Sequence, residues 1–515
     1  MRRTSVVSWI LLALAAILLI PAVVGVSRAG DGITTSTEDV DGIPVTVLTP
    51  ENADDASPGA VLVHGFAASS TIMEPLGRVL ARAGYVVALP DVTGHGANAA
   101  PLTWDDTSRD EVADDVTAVL GWLGAQPGVD DQRLALVGHS MGAGAVTRVA
   151  ITDPEAMRAT VAISLPGAIE PVNNPRDLLM LYGSAEPASF ATAAREQLDA
   201  IRPGADVGQV YGDIAGGTAI AAQVIPGVEH ISIVWSPATA EAMLNWIGEA
   251  VDGPTEPVSL DPDWLWLLLL LIAGSLVAIP LARLLYGNTG EQPERRVPGW
   301  TAMVTTLAAA VLASLITSGI TAVAGDAVDA AIPIAVGGYL AVWFAVTAAL
   351  AWTALLLLQR GQHPRRRPVA TRAILATLAM SAYGVLLLIA SARLTWATAA
   401  FVGPRWWIWV VLTGIFGAYF YADAILLARR SWGARLGILA VNRVILVVVL
   451  LASVALLGAP GVLTLLVPLM FALFILLGYL AIVVSTRESA AFAPALVQAL
   501  PLAAVVATGF PLLGG

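Results

Sequence analysis

From Trp264 to Gly515 the chain is a succession of apolar runs of about twenty residues, separated by short polar or arginine-bearing segments. No other feature constrains folding as strongly. Inside hydrocarbon every backbone N–H and C=O must find a partner within the chain, so runs of this length must be helices, and ~1.5 Å of rise per residue carries them across a core of roughly 30 Å. Spans are expected near 264–286, 299–322, 333–358, 369–391, 405–428, 437–458, 461–485 and 492–512. Residues 264–515 therefore read as an all-α, multi-pass transmembrane domain of about eight helices. Pro494, Pro501 and Pro511 leave the last run open to a re-entrant course. A further apolar run over 6–26 follows Arg2 and Arg3 and exceeds the roughly 7–15-residue core of a signal peptide. Residues 1–27 are thus read as an N-terminal transmembrane anchor, with an export signal ending near Ser27-Arg28-Ala29 as the competing reading.

Arginine supplies the orientation. All 27 basic residues are arginine, which with the abundance of alanine and valine suggests a GC-rich bacterial genome. With the amino terminus inside, the inner segments hold Arg283, Arg295, Arg296, Arg360, Arg365, Arg366, Arg367, Arg372, Arg429, Arg430, Arg435, Arg443 and Arg487. The outer ones hold only Arg393 and Arg405, and the one with Asp326 and Asp329 holds none. That asymmetry follows the positive-inside rule and puts residues 28–252 outside the cytoplasm, joined to the spans by a linker over 253–263. Trp264, Trp266, Trp406 and Trp407 stand where interfacial anchors are expected. Residues 28–263 carry 33 acidic residues against 10 arginines, which argues against nucleic acid or anionic lipid headgroups as partners. The chain has no cysteine, so disulfides and thiolate metal sites are excluded.

Residues 28–252 alternate strand and helix patterns. Two edge strands are expected over 34–40 and 43–48, buried strands over 60–63 and 85–89, and helices over 72–83 and 108–124. Later strands are expected over 159–165, 177–182 and 220–225, with helices over 188–201 and 236–250. This alternation implies an α/β fold, a mostly parallel sheet flanked by helices, with functional groups at the carboxyl ends of its strands. At its centre the apolar strand pattern of 133–137 runs into Gly138-His139-Ser140-Met141-Gly142, and small residues then open a helical run. A Gly-x-Ser-x-Gly turn between a buried strand and a helix holds a serine hydroxyl at the tip of a tight elbow. Ser140 is the candidate nucleophile. Of the five histidines, His230 is the candidate base; His139 lies beside the nucleophile, His64 and His95 in loops, and His363 in an arginine-rich inner segment.

These residues resemble the α/β-hydrolase superfamily, most closely its bacterial esterase and dienelactone-hydrolase-like members, over roughly 43–250. Four signatures carry the resemblance in order: His64-Gly65-Phe66, Asp91-x-x-Gly94-His95-Gly96, Gly138-His139-Ser140-Met141-Gly142, and Pro226-Gly227-Val228-Glu229-His230. The resemblance implies an α/β-hydrolase fold and an acid after the strand that precedes the histidine. Glu186 occupies that place where aspartate is usual, with Asp213 as the alternative; Asp177 begins its strand at the wrong edge, and Glu229 is expected to face solvent. It further implies an oxyanion hole from the backbone N–H groups of Phe66 and Met141, with Phe66 also able to line an acyl pocket, and a structural role for His95. No cofactor and no metal are implied.

The chemistry needs these residue types because a serine hydroxyl attacks only when a base removes its proton, and a neutral imidazole can take that proton and return it to the leaving group. The expected partner is an ester or acyl substrate, a lipid among the candidates, reached at the bilayer through a cleft covered only by the segment 187–218. Amidase, peptidase and perhydrolase chemistry use the same groups. A different class, a transporter or membrane-assembly protein whose outer domain is a binding module, would place function in the spans, where Asp423 and Asn442-Arg443 are the notable polar groups.

Overall fold

The computed structural model describes residues 2–514 apart from 54–55, 104–107, 172, 257, 288–297, 326, 359–370, 396–399, 428–430, 462 and 486–490; the side chains of 2–5, 108, 329, 393–395 and 465–470 are also not described. Of the arginines that set the orientation, Arg295, Arg296, Arg360, Arg365, Arg366, Arg367, Arg429, Arg430 and Arg487 lie outside the described residues, as do Asp326 and His363.

Helix α1 (Arg2–Arg28) leads into the sheet domain. Its elements are β1 (Ile33–Val40), β2 (Ile43–Pro50), β3 (Ser57–Val63), α2 (Glu74–Arg82), β4 (Val86–Pro90), β5 (Leu102–Thr103), α3 (Ser108–Gly124), β6 (Val129–His139), α4 (Met141–Thr152), β7 (Ala159–Ile163), β8 (Leu178–Gly183), α5 (Ala188–Ile201), β9 (Val210–Tyr211), β10 (Ile220–Ile225) and α6 (Pro237–Ala250). Nine strands form one sheet in the order β1-β2-β4-β3-β6-β7-β8-β10-β9. It is parallel from β4 to β10 and antiparallel at both edges. Only β1 of the two expected edge strands is an edge. β2 pairs on both sides because its alternating Val45 and Val47 are buried.

Period-two alternation divides the core into two layers. Ala60 and Leu62 of β3 face a cluster with Leu76 and Leu80 of α2 and Leu244 and Ile247 of α6. Val61 and Val63 face the opposite cluster, with Val116 and Leu120 of α3 and Val146 of α4. The helix expected over 72–83 is split into a 3₁₀ turn (Ser70–Met73) and α2, with Pro75 in the first turn of α2, where its missing N–H costs no helical bond. The two-residue strands β5 and β9 are too short to leave a sequence pattern.

The remaining helices are α7 (Asp263–Tyr286), α8 (Gly299–Ala324), α9 (Ala327–Ala331), α10 (Gly337–Leu358), α11 (Thr371–Thr395), α12 (Arg405–Leu427), α13 (Trp432–Leu457), α14 (Leu463–Ser485) and α15 (Phe492–Gly509). Eight helices of the chain, α1 among them, are long and apolar enough to cross a membrane within the described residues, and α14 adds a shorter described apolar stretch, Phe471–Ser485. The protein is a multi-pass membrane protein by this measure. The last run is one continuous helix carrying Pro501. Beyond it the chain forms β11 (Leu513–Gly514), which pairs parallel with β5 of the sheet domain.

The expected linker is not slack. Arg78 of α2 binds Asp261 at 2.9 Å, Glu74 at 3.2 Å and Asp263, while Arg82 binds Asp261 and the Ala29 carbonyl. One helix thereby holds both the entry from α1 and the exit to α7. Burial raises the Glu74 carboxyl against the pull of Arg78. Within the bundle, Asp423 is paired with Arg443 at 2.8 Å, and Asn442 and Gln498 join them in a buried network that ties α12, α13 and α15 together. The bundle meets the sheet domain at the loops that follow β3 and β4. Ala67 is buried in the bundle's apolar cluster with Phe66 packed against it. The carboxyl edge of the sheet is therefore turned toward the helices.

Candidate active site

Ser140 stands between β6 and α4 at φ 56°, ψ −114°, a conformation that L residues rarely adopt. The flanking glycines make the turn possible. A Cβ on Gly138 would lie 2.2 Å from the Gly142 carbonyl oxygen, and one on Gly142 would lie 2.3 Å from the Val63 carbonyl oxygen. The serine hydroxyl is 3.1 Å from Nε2 of His230, whose Nδ1 is 2.6 Å from Oε1 of Glu186. Oε2 of Glu186 accepts the Gly183 N–H at 2.7 Å, and the carboxylate is almost completely buried. The three groups sit after β6, β8 and β10, at one edge of the sheet. Because Glu186 accepts at Nδ1, the Nδ1–H tautomer is favoured, leaving Nε2 lone-paired toward Ser140.

The alternatives fall elsewhere. Asp213 lies in an exposed turn before β10, where its backbone binds Thr218. Asp177, at the opening of β8, accepts the Ala219 N–H and is pushed up to about 6 by burial. Glu229 is exposed and caps the turn at Ile231 and Ser232.

The remaining buried histidines fix loops. His139 Nε2 donates to the His230 carbonyl at 2.9 Å, which ties the elbow to the segment carrying the base; burial, followed by the proximity of His230, lowers it to about 3. His64 accepts the Val92 N–H on Nε2 and donates from Nδ1 to the Gly65 carbonyl at 2.8 Å; burial holds its pKa down against the charge of Asp91. His95 donates to Thr93, and burial and then His64 keep it well below its usual range. Gly65 lies against Ser140, since a Cβ there would be 3.1 Å from the serine Cβ. The structure thus brings Phe66 and Met141 to the two segments that flank the hydroxyl.

Two features carry no signal of their own in the sequence. Phe190, in the first turn of α5, stacks on His230 with centroids 4.5 Å apart and planes at 29°. The cleft is also not covered by the segment 187–218 alone: the loop of Phe66 and Ala67 is closed over by the helix bundle.

Residues 57–190 match the family described as "Serine aminopeptidase, S33". A thermostable monoacylglycerol lipase from Bacillus sp. is 35% identical over 96 residues, covering 18% of this chain and 35% of the lipase. The AB hydrolase superfamily protein YfhM of Bacillus subtilis is 27% identical over 136 residues, covering 26% of this chain and 45% of that protein. The chain spans between about a third and just over half of the length of the curated relatives it matches. Among solved structures, dienelactone hydrolase from Anabaena variabilis is similar at 15% identity and a TM-score of 0.32, covering 43% of this chain and 99% of that one. The sheet order, the strand–elbow–helix turn and the sequence matches together identify an α/β-hydrolase domain in this chain, carried beside a set of long apolar helices.

Proposed function

We propose that the protein is a membrane-tethered, extracytoplasmic serine hydrolase that cleaves a carboxylester or thioester of a lipid or cell-envelope component. The observation that carries this reading is the continuous relay Ser140–His230–Glu186 on an elbow the glycines make possible. His230 takes the Ser140 proton as Oγ attacks the acyl carbon, and Glu186 stabilises the imidazolium without accepting the proton. The oxyanion is met by the N–H groups of Met141 and Phe66, an arrangement worth several kcal/mol in such enzymes. His230 returns the proton to the leaving alcohol or thiol, and water then hydrolyses the acyl-enzyme by the same steps reversed.

A bilayer substrate is supported by the carboxyl edge of the sheet facing the apolar helices, and by the similarity to the Bacillus monoacylglycerol lipase. The extracytoplasmic placement is supported by Arg283, at the end of α7 opposite the Asp263 that binds Arg78, and by Arg372, which donates to the Leu285 carbonyl at that same end. Residues 1–27 act as anchor, 28–252 as the hydrolase unit and 264–515 as the membrane unit. The test is labelling of intact cells with membrane-permeant and impermeant fluorophosphonates. Labelling by both probes that vanishes in Ser140→Ala and falls sharply in His230→Ala is expected. A folded parent protein that takes no label overturns the reading.

A further inference from the structure

The C-terminal end of the chain returns to the hydrolase domain beside its active-site loops. The Leu512 N–H donates to the Gly94 carbonyl at 2.8 Å, and the Leu512 carbonyl accepts from Leu102 at 2.9 Å. Arg405, the first residue of α12, is fully buried. Its Nη1 donates to the carbonyls of Ala507 and Phe510, each at 2.7 Å, and its Nη2 donates to the Gly94 carbonyl at 2.8 Å. A single carbonyl thus receives donors from two parts of the bundle. Gly94 has φ +79°, and a Cβ on it would lie 2.9 Å from the Leu512 oxygen, so the glycine lets the tail approach. The carboxylate acting on the buried guanidinium is Asp91, whose oxygens accept the N–H groups of Ser70 and Ala97 and so bind together the loops after β3 and β4.

From Gly94 contact passes directly to the segment beside Ser140. The His95 ring lies 5.2 Å from that of His64 and meets Phe66 edge-on at 5.8 Å. His64 holds the Gly65 carbonyl, and in a trans peptide the N–H of the next residue points the opposite way. The peptide that carries the Phe66 N–H therefore has its carbonyl side gripped by His64. Its side-chain side packs into the cluster that also contains Ile334, Phe510 and Leu512.

We propose that Arg405 is a positioning residue for the hydrolase reaction. By fixing Gly94 and the C-terminal tail, it holds residues 64–67 so that the Phe66 N–H is aimed at the oxyanion formed on the Ser140 adduct. The apolar helices are then part of the catalytic apparatus as well as an anchor, and the hydrolase domain is competent only when docked on them. This rests on the roles of Ser140 and Phe66 proposed above.

The test uses the full-length protein in detergent micelles, with Arg405→Met, Arg405→Lys and Leu512→Pro, the last removing the N–H given to Gly94 together with the buried Leu512 side chain. Active sites are counted by fluorophosphonate titration, kcat and KM are read on p-nitrophenyl butyrate, and inhibition is read with a trifluoromethyl ketone. That ketone bonds to the Ser140 oxygen, the hydroxyl proton passes to His230, and the carbonyl oxygen becomes the oxyanion. The expected result for Arg405→Met is kcat lower by about 10- to 100-fold, short of losing an oxyanion donor outright. KM should stay within about threefold, and ketone affinity should weaken by the same factor as kcat. Arg405→Lys should recover part of the loss, and Leu512→Pro should move in the same direction. A kcat per titrated site within twofold of the parent in both Arg405→Met and Leu512→Pro overturns the proposal, as does a fall in kcat with ketone affinity unchanged. A parent protein inert to the fluorophosphonate overturns the reading of Ser140 itself, which separates that failure from this one.

Discussion

Glu186→Gln isolates the part of the site where this chain departs from the usual aspartate. In the parent, Oε2 accepts the Gly183 N–H at 2.7 Å and Oε1 faces Nδ1 of His230 at 2.6 Å. An amide in the same place has one acceptor and one donor group. The Gly183 N–H can only donate, so the glutamine oxygen is held there and its NH₂ is turned to Nδ1. Nδ1 must then accept, the imidazole proton moves to Nε2, and that proton points at Ser140 Oγ, where a lone pair is needed. The equivalent acid-to-amide change in serine proteases costs roughly 10⁴ in kcat, or about 5.5 kcal/mol of transition-state stabilisation. With the relay closed at 3.1 Å and the carboxylate almost fully buried, a loss of roughly 10³–10⁴ is expected here. The assay is kcat/KM on p-nitrophenyl butyrate with the fluorophosphonate labelling rate alongside, in protein whose melting temperature is within a few degrees of the parent. Activity within about tenfold of the parent would refute the assignment of Glu186 and the tautomer argument together.

Gly142→Ala places a Cβ 2.3 Å from one backbone oxygen and 2.7 Å from another, neither of which can rotate away. A loss of about 3 kcal/mol in stability and of serine labelling is expected, measured by melting and probe reaction; full labelling would contradict the elbow geometry. His139 supplies a pH test. Its folded pKa of about 3 lies below the ordinary 6.5, so in the window between them the unfolded chain holds a proton that the folded chain does not, and stability falls as pH drops through that range. His139→Gln keeps a donor to the His230 carbonyl but does not titrate. Below about pH 6.5 the parent should lose up to ~1.4 kcal/mol per pH unit relative to this variant in denaturant titrations. Parallel curves would contradict it.

Much of the hydrolase domain is legible in the sequence because its signals are local. The spacing of Val112, Val116, Val119 and Leu120 specifies one face of α3, and the apolar run of β3 specifies a strand buried on both faces. The glycines around Ser140 announce the turn, since no other residue fits within 2.3 Å of the neighbouring carbonyls. Glu186 was less visible because the last turn after β8 could have offered any nearby carboxylate; only the fold puts Asp213 in an exposed turn away from His230. Phe190 left no mark, being one apolar position among several on α5.

The sequence by itself determined the order of the main strands and helices and marked Ser140 and His230, with Glu186 ahead of Asp213, as the candidates for the relay, through periodicities and turn residues within a few positions of one another. Only the tertiary structure decided that β2 is interior, that α2 clamps both ends of the hydrolase domain through Arg78 and Arg82, and that the tail at Leu512 and the guanidinium of Arg405 meet on Gly94. The contacts at Gly94 join residues hundreds of positions apart through a backbone carbonyl, which every residue possesses. Side-chain identity encodes local conformation, whereas the pairing of one distant backbone group with another is set by packing the whole chain.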